Sequence, residues 1–255
     1  MAEATSERRR TAIVTGASQG IGAIIAGALA RAGLDLVLAA RKTETLADTM
    51  RAARDAGARV VCVPLDLRDQ GAIERAMSAA VDAFGEIDVL VNNAGLAARG
   101  PALEVTRAQW DEVMAVMLTG TFFMSQQMGR HLVEKKRPGA ILNLASTHGI
   151  VGLAGRSTYG IAKGGVIQMT RMLAIEWADY GIRVNALAPG TVGTPSRLDH
   201  YRAHPDEGQR LLLRIPVGRF ATPEEVGAAA VYLTSTEAAY ITGQVLVLDG
   251  GLTAG

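Results

Sequence analysis

The sequence predicts an α/β fold, a single doubly wound parallel sheet with helices on both faces, and three observations predict it. Short apolar runs of strand length alternate with helix-length segments from Thr11 to Leu248, and that alternation calls for crossover helices and parallel strands. The first apolar run enters a glycine-rich turn and then an Ala-rich helix. The composition is 49% apolar with 29 glycines, without a Pro/Ser-rich linker or a long charge run along the chain. Such a composition suits tightly packed helices on a buried sheet in one domain, residues 11–255.

In order, Thr11 to Thr15 is the first strand, and Ala23 to Ala32 is a helix that ends at Gly33. Between them lies Gly16-Ala-Ser-Gln-Gly20-Ile-Gly22. Glycines there let the backbone approach a pyrophosphate, and the helix N-terminus favours its charge. Leu34 to Ala40 is the second strand, followed by Arg41, Lys42 and a helix to about Ala56. Arg59 to Leu65 is the third strand, with Asp66-Leu67 after it and a helix from about Gln70 to Phe84. Asp88 to Val91 is the fourth, ending in Asn92-Asn93-Ala94-Gly95. One long helix is expected from about Arg107 to Lys136, then a fifth strand, Ala140 to Ala145, and after a further helix a sixth, Arg183 to Leu187, leading to Pro189-Gly190. The segment Thr191 to Phe220 has no clear period and contains Pro195, Pro205 and Pro216. It is too long for an ordinary connection and is expected to be a substrate lid at about 191–220. A helix Pro223 to Leu233 and a strand Val245 to Leu248 complete the sheet.

Lysine and arginine, 26 together, nearly balance 25 aspartates and glutamates. Nothing in that balance points to nucleic acid or an anionic membrane, and a small molecule is the expected partner. Cys62 is the only cysteine, which excludes a disulfide framework and a cysteine-based zinc site; a buried strand position is expected for it and no metal site is expected. Residues 1–10 are basic at their end but lack an apolar run of signal-peptide type, and no segment is long enough to span a bilayer. The expectation is a flexible tail on a cytoplasmic protein.

The chemistry concentrates in Ser146 to Lys163, STHGIVGLAGRSTYGIAK. Tyr159 stands four residues before Lys163, which on a helix puts phenol and ammonium on one face. An ammonium beside a phenol stabilises the phenolate, so the pair can pass a proton near neutral pH. The apolar run AILNLA leads into Ser146, placing its hydroxyl at the carboxyl edge of the sheet, where open α/β folds bind ligands.

Five motifs now stand in order: the glycine turn, Asn92-Asn93-Ala94-Gly95, Ser146, Tyr159-x-x-x-Lys163 and Pro189-Gly190. With Ser146 thirteen residues before Tyr159, the chain from about Thr11 to Gly251 resembles the short-chain dehydrogenase/reductase family, whose fold is the Rossmann type. The resemblance implies that Tyr159 is the acid/base, that Ser146 hydrogen-bonds the reacting oxygen, and that Lys163 lowers the phenol's pKa and holds the nicotinamide ribose. It implies a dinucleotide cradle of Gly16, Ser18, Gln19, Gly20, Ile21 and Gly22. Asp66, beside Leu67, would lie near the adenine, and Asn93, with Ala94 and Gly95, against the adenosine. Pro189, Gly190, Val192 and Thr194 would join the cofactor site, Thr194 near the carboxamide. NAD-using members usually carry an acidic residue at the end of the second strand. Here that position is Ala40, followed by Arg41 and Lys42, and two cations without a carboxylate suit a 2′-phosphate. The expected cofactor is NADP(H).

The family usually has Asn-x-x-Gly in the long helix, the Asn holding a relay water, where this chain reads Met117-Leu118-Thr119-Gly120. A relay could survive if the helix bends and leaves a carbonyl free; an apolar plug there would sink it. Leu96, Thr147, His148, Leu153 and Arg197 are the expected substrate-pocket residues. The function expected from the resemblance is a carbonyl reductase or dehydrogenase of a small ketone or secondary alcohol. Its alternatives are a sugar or hydroxy-acid dehydrogenase and a 3-oxoacyl carrier-protein reductase. Of the two basic positions that carrier reductases tend to have, Arg137 fits the first, but Tyr180 stands at the second. A non-catalytic dinucleotide sensor is the third reading. A homotetramer is implied by resemblance, with Phe122, Phe123, Met124 and the apolar final strand as a compatible surface.

Overall fold

The computed structural model describes residues 8–254. Its strands are β1 (Thr11–Thr15), β2 (Asp35–Ala40), β3 (Val60–Pro64), β4 (Val89–Asn92), β5 (Gly139–Leu144), β6 (Ile182–Pro189) and β7 (Val245–Leu248). They form one sheet in the order β3-β2-β1-β4-β5-β6-β7, and every pairing is parallel. Every residue of β1 and β2 is buried, which is why these strands read as continuous apolar runs rather than alternating ones.

Successive side chains leave the sheet on opposite faces, and the two cores follow that rule. Ala12, Val14, Leu36, Leu38, Val89 and Val91 pack with Ile25 and Leu29 of α1 (Gly20–Arg31) and with Val226, Ala230 and Leu233 of α9 (Pro223–Thr234). Ile13, Val37, Leu90, Ile141 and Val184 face the other way. They meet α3 (Gln70–Phe84), α5 (Gly120–Glu134) and α6 (Ser157–Glu176) through Ile73, Met128 and Val166. The short helix α2 (Ala47–Asp55) completes the first layer through Ala53.

Three expectations need correction. The single long helix is in three parts: α4 (Arg107–Met114), a π-turn at Ala115–Thr119, and α5. A one-residue widening of this kind leaves no mark on a 3.6-residue period. The aperiodic lid contains two helices, α7 (Pro195–Ala203) and α8 (Pro205–Leu212). Pro195 and Pro205 stand at the first turns of those helices, where a missing N–H costs nothing, so they start helices rather than interrupt a loop. The lid's base is pinned: Val192 bridges Ala221, Gly193 N–H donates to the Ala221 carbonyl at 2.8 Å, and Ala221 N–H donates to that of Thr191 at 3.0 Å. The third correction concerns the tail. Arg8 donates to Asp88 at 2.6 Å, Arg9 to the carbonyls of Gly33 and Gly57 at 2.9 and 2.6 Å, and Arg10 to that of Thr234 at 2.8 Å. Residues 8–10 are therefore docked, and the rest of the expected tail, residues 1–7, lies outside the described residues.

Smaller differences follow the same logic. The first helix begins at Gly20 rather than Ala23, inside the glycine turn. Cys62 is half-buried because β3 is an edge strand. Of the three residues expected to form an oligomer surface on α5, Met124 is fully buried core and Phe122 is exposed.

Candidate active site

The chain reverses its winding between β1 and β4, and the loops that follow these two strands meet there. Thr15 Oγ1 accepts from the backbone N–H of Asn93 at 3.0 Å and of Ala94 at 3.1 Å. Asn93 Nδ2 donates to the carbonyls of Thr15 and Gly16, both at 3.0 Å. Its amide is thus committed to bracing the glycine turn. Gly16 has φ +64, and a Cβ on it would stand 2.7 Å from Ala94 Cα; one on Gly22 would stand 2.2 Å from the Gly16 carbonyl oxygen. Only glycines let these loops close.

A cavity of about 640 Å³ opens over this crossing. It is lined by Ser146, Tyr159 and Lys163, by the turn residues Gly16, Ser18, Gln19, Gly20 and Ile21, and by Arg41, Asp66 and Leu67. Asn93, Ala94, Gly95, Pro189, Gly190, Val192 and Thr194 also line it, as do Leu96, Thr147, His148, Leu153 and Arg197. Two expected cofactor residues do not. Gly22 is packed behind Gly16, where it supports the turn, and Lys42 is exposed and does not line the cavity, leaving Arg41 as the lining cation at the end of β2.

Ser146 follows β5 in an extended conformation, φ −168, and is buried. Its Oγ accepts from the His148 N–H at 3.2 Å, with His148 Nδ1 3.5 Å away. Accepting there leaves the serine proton able to point at a substrate oxygen. The His148 ring stands edge-on to Tyr159, centroids 5.9 Å apart. Burial, then the charges of Arg156, Arg214 and Arg197, hold its pKa below the usual histidine value, so it stays neutral. Tyr159 sits in the first turn of α6, half-buried. One turn on, Lys163 is buried with Nζ 5.9 Å from the Tyr159 ring centroid, and it donates to the Leu144 carbonyl.

Burial pushes the Lys163 ammonium from 10.5 down to about 8. The folded state therefore releases this proton before the unfolded chain does, and stability supplied by Lys163 rises as pH climbs from about 8 to about 10.5. Chemical denaturation of the wild type against Lys163→Met across that window should show the wild type gaining on the variant. Parallel curves would mean that burial does not strain this charge.

Met117 lies in the π-turn. Its side chain is 1% exposed and packs with Val113 and Ala162, against Leu96 and Tyr159. Its carbonyl accepts the Thr121 hydroxyl at 3.0 Å. The helix does bend here, but the position expected to serve a relay is an apolar plug. Met117→Asn should put an amide beside Tyr159, shifting the pH profile of turnover or raising turnover with cofactor affinity nearly unchanged. Burying that amide without full partners should cost roughly 1–3 kcal/mol of stability. A variant changed only in substrate KM would make Met117 a pocket wall.

Asp66 is gripped by Arg68 through contacts of 2.6 and 2.9 Å, and that hydrogen bonding holds its pKa down at about 2. Arg68 lines the cavity, as do Arg99, Arg156, Arg214 and Leu211, none of which the sequence analysis singled out. Arg156 was findable: it stands three residues before Tyr159, at the N-cap of the helix that carries it. Arg99 and Arg214 come from loops and Leu211 from the lid helix α8, segments that only the folded chain brings together.

Comparison with known proteins agrees with this arrangement. Residues 16–253 match a family model described as Enoyl-(Acyl carrier protein) reductase. The chain belongs to the short-chain dehydrogenase/reductase family and is an oxidoreductase acting on alcohol and carbonyl groups with a nicotinamide cofactor. It is 41% identical over 255 residues, covering 100% of both chains, to cis-4-hydroxycyclohexanecarboxylate dehydrogenase of Sinomonas cyclohexanicum. Among solved structures, a candidate short-chain alcohol dehydrogenase from Sinorhizobium meliloti 1021 superposes with a TM-score of 0.92 at 42% identity, covering 96% of this chain and 97% of that one. A gluconate 5-dehydrogenase from Burkholderia cenocepacia J2315, in complex with NADP and tartrate, gives 0.89 at 33%, covering 96% of each. Among the described residues no helix is long and apolar enough to cross a membrane.

Proposed function

We propose that the protein is an NADP(H)-dependent dehydrogenase or carbonyl reductase of a small ketone and its secondary alcohol. The observation that carries this reading is the convergence of the Ser146 hydroxyl, Tyr159 phenol and Lys163 ammonium on one cavity beside the glycine turn. The residues present fit a dinucleotide. The turn has no Cβ where the backbone must be approached, and α1 begins without a side-chain cap or an acidic residue in its first turn, leaving its N–H groups for an anion. Gly16, Ser18, Gln19, Gly20 and Ile21 would hold the pyrophosphate, and Pro189, Gly190, Val192 and Thr194 the nicotinamide end. The nicotinamide, when bound, supplies or takes the hydride. Ser146 donates to the substrate oxygen, Tyr159 exchanges the proton with it, and Lys163 steadies the negative charge on the phenol as the proton leaves.

The preference for the phosphorylated cofactor rests on Arg41. It is exposed at the end of β2, lines the cavity and has no carboxylate partner among the described residues, while Ala40 offers no acceptor for a ribose hydroxyl. The NADP-bound relative supports the same choice. The carrier-protein reading weakens further. Arg137, its one basic position, is engaged by Glu86 at 2.9 Å and Asp88 at 3.4 Å. A homotetramer is supported by apolar side chains left uncovered near the final strand: Ile175 is 80% exposed, Met172 52% and Leu246 38%.

A panel of ketones, sugars, hydroxy acids and a carrier-bound acyl substrate, followed by NADPH absorbance, tests the assignment. Turnover of small free carbonyls with NADPH is the expected result. Turnover of the carrier-bound substrate alone, or of none, would overturn it.

A further inference from the structure

The substrate end of the cavity holds more positive charge than the protein itself answers. Arg156 stands at the start of α6, half-buried, and its Nη1 donates to the Ala98 carbonyl at 3.2 Å. Arg197 rises from the first turn of α7, half-buried, with its guanidinium carbon 6.0 Å from the Tyr201 ring centroid. Arg214 follows α8 and is exposed. All three line the cavity that holds Ser146 and Tyr159, and none makes an ion pair among the described residues.

The carboxylates that share the cavity are occupied elsewhere. Asp66 and Glu112 face Arg68 at 2.6 and 3.8 Å, and Glu207 faces His200 at 3.0 Å and Arg99 at 3.9 Å. The repulsion registers on the groups themselves. The Arg156 guanidinium is held below its usual pKa by burial, then by Arg99 and Arg197, and His148 feels burial, then Arg156, Arg214 and Arg197. Half-buried cations of one sign without a carboxylate partner, as Arg156 and Arg197 are, cost stability, and a ligand of opposite charge relieves that cost.

We propose that the substrate is a hydroxy or keto carboxylate whose carboxylate is gripped by Arg156 and Arg197, with Arg214 at the entrance, while its reacting carbon lies at Ser146 and Tyr159. A carboxylate presents two oxygens that match the planar fork of a guanidinium. This substrate class rests on the oxidoreductase reading of the same site. In the reducing direction the carbonyl carbon gains a hydride as the reduced nicotinamide is oxidised, the carbonyl oxygen takes the Tyr159 proton, and the carboxylate keeps its charge. Because Arg197 and Arg214 belong to the lid and Arg156 to α6, one carboxylate would tie the lid to the helix that carries the acid/base. Arg156 and Arg197 are in this sense the specificity-determining residues.

The test uses the wild-type protein with saturating cofactor and keto acids of four to eight carbons, each paired with its primary amide. Turnover should favour the acid over its amide by roughly tenfold or more in kcat/KM, as expected of one charge-assisted contact. That ratio should shrink with added salt. Arg156→Gln and Arg197→Gln should each lower the ratio, and Arg156→Lys should restore part of it, because a point charge replaces the fork. In a parallel thermal-shift arm the acids should raise the Tm of the cofactor-saturated protein more than the amides do. Amides turned over as well as acids would overturn the carboxylate assignment and leave the oxidoreductase reading standing. Should no carbonyl of either kind be reduced, that reading falls, and the thermal-shift arm still decides the arginines: equal shifts for acid and amide sink the assignment.

Discussion

Tyr159→Phe is expected to lose at least ~10²-fold in kcat while cofactor binding stays near the wild-type level, since a positioned general acid is worth that much or more. The geometry makes this variant informative. Tyr159 is half-buried at the start of α6, its ring is flanked edge-on by His148 at 5.9 Å, and Lys163 Nζ lies 5.9 Å from its centroid. Removing one oxygen leaves those contacts in place, so folding should survive and the loss should fall on the proton. Single-turnover absorbance for the chemical step and cofactor fluorescence for binding separate the two effects. Wild-type turnover in the variant would remove Tyr159 from the proton path. His148, half-buried and with its pKa held below the usual histidine value by burial, would then be the nearest remaining titratable side chain in contact with Ser146.

Arg41→Ala should weaken NADP(H) roughly ten- to a hundredfold with little change for NAD(H), as expected for the loss of one charge-assisted contact to phosphate. The structure sharpens this prediction, because Lys42 lies off the cavity wall and cannot easily replace the missing charge. Ala40→Asp should move preference the other way. It places a carboxylate where a 2′-hydroxyl could donate to it and a 2′-phosphate would be repelled. Titration of both cofactors into wild type and variants measures the ratio directly. Equal losses for both in Arg41→Ala would show that this guanidinium serves the site in general, or the neighbouring Asp66, whose pKa Arg41 also helps to lower.

The catalytic constellation was readable because its parts are local. Tyr159 and Lys163 share one helix, and Ser146 ends the strand before it, so spacing alone puts their groups on one edge. Arg41 was readable for a similar reason, standing directly after a strand whose end faces the glycine turn. Lys42 shows the limit of that argument: one residue further along the turn, it is not among the cavity-lining residues, and no periodicity governs such a turn. The helices inside the lid segment went unread for a different reason: it has no clear period, and Pro195 and Pro205, which start helices, carry the same letter as a proline that ends one.

By itself the sequence determined the parallel sheet, the glycine turn after its first strand, and the residues proposed to handle the proton. Parallel pairing follows from the helix-length crossovers between strands, and helix faces follow from their period, so both are encoded over short distances. Tertiary structure alone decided what fills the remainder of the cavity. The π-turn at Ala115–Thr119 presses Met117 into the apolar cluster beside Tyr159, and Asn93 spends its amide on the turn of a strand 77 residues away in sequence. The lid helices bring Arg197 and Arg214 to the cavity that Arg156 enters from α6. Each of these depends on contacts between segments far apart in the chain, where burial and unpaired charge arise only when the segments meet.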